Sequence, residues 1–410
     1  MITAMLNGVS GVSSFSLWLD VVSDNLANIS TVGYKESRVT FRDIHDRTLM
    51  LGSAPRGEKG GVNPEQTGFG TAVATIGRVF SQGDLMFSGE STDLAIEGDG
   101  FFVLTDNKGK LGDPDHMYYT RAGAFDLDAE GNLVDTNTGY LVLGYLADPN
   151  DPKGKIDIGK LTPINLSGFE KVSPISTTQT KISGNLAADA KVGDKATVGF
   201  LYYDPQGVDK NVQIEFEKAS DNTWTWTSQD EDGNSVGTGT ITFGPDGKPT
   251  SGTTTTLTLA DGNTLDVDFS DISQFGGPSY LAVSDIDGHG MGNISGLSID
   301  RDGIIRIDYN DGTQRVAGQV ALSNFVNPAG LVAVGDTMFK EGPNSGNAVI
   351  GTPNSDSRGS VLSGTLEMSN VNPANEMVNL ILAQRGYQIN SRVITTADNV
   401  VEEAINLPRR

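Results

Sequence analysis

Cysteine is absent from the 410 residues. That excludes disulfides and thiolate metal sites and leaves the chain indifferent to the redox state of its surroundings. Histidine is scarce: His45, His116 and His289 stand far apart, and none has a second ligand at metal spacing. Basic residues are few. The 29 Lys and Arg face 52 Asp and Glu, a net charge of −23. Nucleic acid and anionic membrane surfaces would repel such a chain, so neither is an expected partner. Long apolar runs are lacking. The densest, such as Leu141 to Ala147, are strand-sized, and no membrane insertion is expected. Residues 1–33 are apolar, but they lack the basic flank of a secretory signal, because the first Lys is Lys35 and Asp20 interrupts the stretch. Export by another route stays open.

What is present suits turn-rich β structure more than a dense enzyme core: 20% charged residues, 37% hydrophobic and 51 Gly. A chain this long exceeds one core, and about two to four domains are expected. The two ends differ from the middle. Met5, Val9, Val12, Leu19, Val22 and Leu26 recur at nearly 3–4 spacing, as do Met377, Leu380, Ile381, Tyr387, Ile394, Ala397, Val401 and Ile405. The spacing predicts a helix over 1–33, ended by Gly33 as its C′ residue with Lys35 at the negative end of its dipole, and a second over about 373–407 with Asn372 as N-cap. The two helices are expected to pair as a coiled-coil-like domain whose leftover apolar seams seek another partner.

Between them, Leu51 to Gly70 is crowded with Gly and Pro and reads as a loop or extended arm. Leu94 to Leu104 reads as strand, Gly98-Asp-Gly100 turn, strand. Residues 177–285 repeat hairpin signals at Asp204-Pro-Gln-Gly207, Asp232-Gly-Asn234, Pro245-Asp-Gly247 and Asp261-Gly-Asn263, which predicts an all-β insert. The expected organisation is multidomain α+β: 1–35 plus 360–410 as the inner helical domain, 36–70 as arm, 71–176 plus 286–359 as a lower β domain, and 177–285 as an outer, nested β domain.

No pattern carries catalysis. Asp285-Ile-Asp-Gly288 and Asp300-Arg-Asp-Gly303 lack the further ligands of a Ca²⁺ loop and read as type I′ hairpin turns. Gly98-Asp-Gly100 opens a strand, not the helix a phosphate loop needs. No nucleophile elbow or zinc-protease helix occurs. Trp224 and Trp226 share one strand face, suited to core packing or to stacking on carbohydrate. No catalytic, metal or cofactor site is expected.

Asp24-Asn-Leu-Ala-Asn-Ile-Ser-Thr-Val-Gly-Tyr-Lys35 resembles the N-terminal signature of the bacterial flagellar rod and hook proteins. Asp93-Leu-Ala-Ile-Glu-Gly-Asp-Gly-Phe-Phe102, Tyr119-Thr-Arg-Ala-Gly-Ala-Phe125 with Asp128 to Val134, and the stretch Asn375 to Thr396 around Ala383-Gln-Arg-Gly-Tyr-Gln388 and Asn390 are similar to that family's other motifs, in the family's order. The resemblance singles out Asn25, Asn28, Thr31, Gly33, Tyr34 and Lys35 as a signature turn. It extends the helix seam to Gln384, Arg385 and Asn390. It also marks Leu51, Pro55, Pro64 and Phe69 as a possible arm between subunits. Ile182-Ser-Gly-Asn-Leu186 and Ser360 to Asn370 look like the hook branch.

The resemblance implies an inner helical domain with two β domains outside it, and no enzymatic activity. It implies a homopolymer forming a helical tube, with a rod protein below and a hook–filament junction protein above. A hook cap and the type III export apparatus would serve assembly at the bacterial cell exterior. Two alternatives stay open: a distal rod protein, favoured by the 51–70 arm, and an exported adhesin or glycan binder resting on Trp224 and Trp226.

Overall fold

The computed structural model describes residues 2–55, 60–106, 114–149, 154–172, 174–231, 233–259 and 262–406. Asp232, Asp261 and Leu407, expected at two turns and a helix end, lie outside the described residues. The chain forms two compact units: residues 1–167, 297–306 and 316–410, and residues 168–296 and 307–315.

The first unit contains both long helices, α1 (Ile2–Ala27) and α2 (Pro373–Asn406). α2 starts where expected. Asn372 Oδ1 accepts from the backbone N–H groups of Ala374 at 3.0 Å and Asn375 at 3.2 Å, satisfying two donors of the first turn. Its 34 residues span roughly 50 Å at ~1.5 Å each. α1 stops six residues before Gly33. Asn28 Nδ2 folds back onto the Asp24 carbonyl at 3.0 Å, and the Thr31 N–H donates to the Asn28 carbonyl at 3.2 Å. The chain turns there because a side chain takes an acceptor of the last helical turn.

By length and composition α1 is apolar enough to cross a bilayer, with mean hydropathy 1.2, contrary to the expectation from visible apolar runs. Its Gly and Ser residues are near-neutral on such a scale and hide the total. In the fold, that surface meets protein. Asn7 Nδ2 donates to the Gly68 carbonyl at 3.3 Å, Ser14 Oγ to the Thr71 carbonyl at 3.2 Å, and the Thr71 N–H to Ser10 Oγ at 3.3 Å.

The strand those groups meet belongs to a ribbon: β1 (Ser37–Asp43) antiparallel to β4 (Thr71–Arg78), bulged between Thr40 and Phe41. Between them, β2 (Asp46–Met50) pairs with β3 (Glu65–Gly68), and an isolated bridge joins Ser53 to Val62. The Gly- and Pro-rich stretch is thus partly a paired ribbon, not only a loop. Thr48, Gln66 and Thr67 carry the pairing, and Gly and Pro cluster toward the turn.

The remaining β structure of this unit runs in the strand order Val316–Val320, Leu141–Leu146, Phe101–Thr105, Met117–Thr120, Met338–Lys340 and Val332–Gly335. Phe101, Val103, Met117, Tyr119, Leu143, Phe325 and Phe339 form its core. Gly98 (φ +105°) and Gly100 (φ +136°) link strands in different sheets, since Leu94–Glu97 pairs with Ser360–Ser363 while Phe101–Thr105 pairs with Met117–Thr120. The Asp300 turn is not type I′. Gly303 (φ +72°) follows a turn in which Asp300 Oδ1 accepts from the N–H groups of Asp302 and Ile304, both at 3.0 Å. This is the three-residue hairpin with a left-handed glycine, and the Asp side chain satisfies the turn donors. Gly288 does not have positive φ. Asp287 instead clamps the second unit's strand start, accepting from the N–H groups of Thr178 at 2.8 Å and Gln179 at 2.9 Å.

The second unit holds a four-stranded sheet, in the order Thr254–Thr258, Thr264–Phe275, Gln179–Ala187, Tyr280–Ile286, and a five-stranded meander from Lys195 to Ser251. A single core that includes Ile182, Phe200, Phe216, Trp224, Trp226 and Phe269 packs between them. Trp224 is 0% and Trp226 3% exposed. The adhesin reading loses its support, since neither indole face is free to stack on a sugar. Trp226→Ala should destabilise the second unit by about 3–5 kcal/mol, measured by urea unfolding followed by tryptophan fluorescence, while oligosaccharides leave the wild-type emission unchanged.

Candidate assembly surface

α1 and α2 run antiparallel. Gly8 faces Ile394, Gly11 faces the Asn390 side chain, Phe15 faces Gly386, and Asn25 Nδ2 reaches Glu376 Oε2 at 3.4 Å. The α1 seam is therefore Gly8, Gly11, Phe15, Val22 and Asn25, again at 3–4 spacing. The α2 seam is Glu376, Ala383, Gly386, Asn390, Ile394 and Ala397. A Cβ on Gly8 would lie 2.8 Å from Ile394 Cγ1, so the small residues bring the helices close. This seam lies one position over from the expected stripe. Met5, Val12, Leu19 and Leu26 flank it half-buried, and Val9 is exposed. On α2, Asn390 and Ile394 enter the seam and Leu380 and Val401 border it. Met377, Ile381, Gln384, Arg385, Tyr387 and Ile405 stay exposed.

Phe15 also joins Trp18 and Phe41 in a ring cluster, with centroids 5.6–5.9 Å apart, fixing α1 to β1.

Beyond α1 the signature turn forms a hydrogen-bonded knuckle. Thr31 Oγ1 donates to Asn28 Oδ1 at 3.1 Å. Tyr34 Oη donates to Asp24 Oδ2 at 3.0 Å, with Asn25 Oδ1 at 3.1 Å. Asn25 also bridges to Ser37, accepting from its N–H and donating to its carbonyl, each at 2.9 Å. Burial, then the neighbouring Asp24, pushes the Tyr34 phenol up to about 12. Burial and the nearby Glu376 raise the Glu36 carboxyl, with Arg38 opposing. Gly33 (φ +68°) is not a helix cap, because the helix has already ended. A Cβ there would collide with the Ala122 backbone, at 2.7 Å from its Cα.

Lys35 is not at a helix end either. It is fully buried and pairs with Glu367, Nζ to Oε1 at 2.6 Å, while donating to the Ser81 carbonyl at 2.8 Å. Arg121 Nη1 reaches the other oxygen of Glu367 at 3.3 Å, and the Gly83 N–H donates to Oε1 at 2.9 Å. The Gly33 N–H donates to the Glu367 carbonyl at 2.8 Å. Burial pulls Lys35 below its ordinary value, and Glu367 pulls back. Three motifs far apart in sequence thus meet at one carboxylate. Asn370 extends the join, accepting from the Glu36 N–H at 2.7 Å and donating to the Val79 carbonyl at 2.9 Å. Sequence reasoning missed Glu367, Asn370 and the seam glycines; their spacing to partners is long-range and carries no local signal.

Much apolar surface stays uncovered. On α2, Val378, Leu382, Ile389, Val393 and Val400 lie on one exposed stripe. Part of it, with Ala4, Arg392, Thr396 and Ala397, walls a groove of about 480 Å³. On α1, Ile2, Leu6, Val9 and Leu17 are exposed. The β2–β3 ribbon is exposed on both faces, with Leu51 82% accessible, Pro55 and Pro64 exposed and Phe69 half-buried at its base. The histidines do not converge: His116 Nδ1 contacts Asp106 Oδ1 at 2.9 Å, and His289 Nδ1 the Gly290 carbonyl at 3.0 Å. No group of three potential metal ligands occurs among the described residues.

A closed helix pair that leaves apolar stripes bare is the build of a self-assembling structural protein, and comparison with known proteins agrees. Residues 5–35 match the family described as flagella basal body rod protein, 95–182 the flagellar hook protein FlgE/F/G D1 domain, and 362–407 the flagellar basal body rod FlgEFG protein C-terminal. The flagellar hook protein FlgE of Borreliella burgdorferi is 31% identical over 99% of this chain and 100% of its own. That of Salmonella typhimurium is 30% identical over 97% and 98%. The crystal structure of Helicobacter pylori flagellar hook protein FlgE2 shares the fold, with TM-score 0.54 at 16% identity over 69% of this chain and 100% of that one. The chain belongs to the flagellar hook protein family. As a member, it is a structural subunit of the bacterial flagellar hook.

Two outcomes test the knuckle. Glu367→Gln leaves two buried cations without their anion and should destabilise the first unit by about 3–5 kcal/mol, read by calorimetric melting. Tyr34 binds its proton more tightly folded than unfolded. Its contribution is therefore full below pH about 10 and is lost as pH rises toward about 12. Wild type should lose stability more steeply than Tyr34→Phe across that window, measured by urea unfolding at stepped pH.

Proposed function

We propose that the chain polymerises head to tail into a helical tube that serves as the flexible joint passing motor torque from rod to filament. The observation that carries this is the pair of uncovered apolar stripes on helices whose mutual seam is already closed. Since α1 and α2 satisfy each other through Gly8, Gly11, Phe15 and Gly386, the exposed Ile389, Val393 and Leu6 surfaces are available to other copies. Burying them contributes ~25 cal/mol per Å² of apolar area, less the cost of association. Head-to-tail contacts that do not close on themselves generate a helix.

Bending requires some contacts to hold and others to slide. The apolar stripes suit the holding contacts. The second unit presents Thr, Asp and Lys at its surface, suited to hydrated contacts that exchange partners at little cost. The β2–β3 ribbon reaches a neighbouring copy and couples the two kinds of contact. A rod protein abuts one end of the polymer and a junction protein the other, with a cap and the type III export apparatus acting during growth. The chain itself is not an enzyme.

Ile389→Asp combined with Val393→Asp should leave the monomer folded by circular dichroism yet abolish hooks in electron micrographs of a complemented hook-null strain; normal hooks would overturn the assignment. Deleting residues 51–64 should preserve export into the medium but change hook curvature or bending stiffness, read by microscopy of the same strain.

A further inference from the structure

The buried charge around Glu367 does not balance. Lys35, Arg121 and Glu367 are all buried, two cations on one carboxylate. Arg121 is 2% exposed, only its Nη1 finds an acceptor, and its Nε is buried with none. Its guanidinium otherwise lies over the Phe101 ring at 5.3 Å. An unpaired charged donor away from water is unfavourable, and such groups are normally answered by a counter-charge or an ordered ion.

Beside Arg121 is a cavity of about 210 Å³, lined also by Phe80, Asp99, Phe101, Asn324 and Phe325. That exceeds the roughly 30 Å³ a single water or similar-sized ion occupies. Asp99 is exposed. It acts on Arg121 through space, favouring its charged form, but makes no ion pair with it among the described residues. The surplus is one positive charge, and the nearby Asp99 carboxylate disfavours a second negative one, so the chemistry selects against divalent anions.

We propose that this cavity binds one small monovalent anion of halide size, held by the Arg121 guanidinium, and that the bound ion stabilises the first unit. The proposal is independent of the assembly reading, since it concerns a single copy of the chain. It makes the knuckle sensitive to the kind of anion present, beyond the general screening that any salt provides. Asp99 is a competitor: neutralising it leaves the cavity to the ion.

The test uses the full chain. Melting temperature is measured in sodium chloride, in sodium bromide and in sodium gluconate at matched ionic strength, for wild type and Asp99→Asn. Gluconate is too large for the cavity. Chloride and bromide should raise the melting temperature in a saturable way that gluconate does not, following the mass-action dependence of a ligand bound only to the folded state. Asp99→Asn should reach half-saturation at a several-fold lower chloride concentration. Crystals soaked in bromide should show an anomalous peak beside Arg121. Equal melting in all three salts with no bromide peak would overturn the proposal and leave the cavity to water. A halide effect unchanged by Asp99→Asn, with no peak at Arg121, would also overturn it, placing the ion elsewhere.

Discussion

Glu367 has two oxygens and three donors waiting on them. Lys35 and the Gly83 N–H take one, Arg121 the other. A buried carboxylate cannot be left half-paired, and neither can the two cations, so each of these groups constrains where the others can be. Lys35 fixes the chain just after the knuckle, Arg121 the end of the strand Met117–Thr120, and Glu367 the approach to α2. The Gly33 N–H on the Glu367 carbonyl adds a backbone tie between the same two segments. α1 and α2 are held in register at that end because the residues that follow one and precede the other share this ion cluster and the Asn25–Glu376 contact. Replacing the cluster with apolar residues would not reproduce this. Apolar packing is tolerant of slip, whereas an ion cluster sharing one carboxylate is satisfied in very few arrangements.

The helix seam follows the opposite logic. There is no ion at Gly8, Gly11 or Gly386; the helices approach because nothing stands between them. Glycine in a helix is intrinsically unfavourable by about 1 kcal/mol relative to alanine, and α1 carries two at its seam. The close approach returns dispersion contact along the pair, and the Phe15 ring packed on Gly386 fills the space so created. A helix of this composition gains its stability from its neighbours. Ser10, Ser14 and Asn7 extend the same dependence to β4, with polar side chains exchanging hydrogen bonds with the strand.

These two devices mark what could be read in the chain and what could not. Helices at both ends were legible because 3–4 spacing survives over many turns, and Asn372-Pro373 announces a helix start chemically. The β character of the middle was legible from alternation and turn residues. The seam itself was not. A search for apolar stripes passes over glycine, and the true contact lies where side chains are missing, so Met5, Val9 and Leu19 drew the eye to the adjacent face. Nor could Lys35 be distinguished from a surface lysine near a helix end: its partner is more than three hundred positions away, and only the folded chain shows the two together. The family resemblance singled out Lys35 without saying why, and the ion cluster supplies the reason. Trp224 and Trp226 show the reverse case, where residue type suggested a binding face and burial removes it.

The arrangement bears on how one subunit can be firm in one place and compliant in another. Contacts that must persist are made by ions in a buried cluster and by closely approaching helices, both of which lose much of their value with displacements of an ångström or two. Surfaces left for other copies are of two kinds. The stripe through Leu382, Ile389 and Val393 is apolar and continuous along a helix, so association through it falls off slowly as one helix slides along another. The β2–β3 ribbon is exposed on both faces and joined to the unit only through β1 and β4. It can follow a moving neighbour without disturbing the Glu367 cluster, because the ribbon leaves beyond the bulge at Thr40 and Phe41, away from Lys35. A subunit built this way can stay folded while its contacts shift, since the interactions that define the fold and those offered for assembly involve different residues.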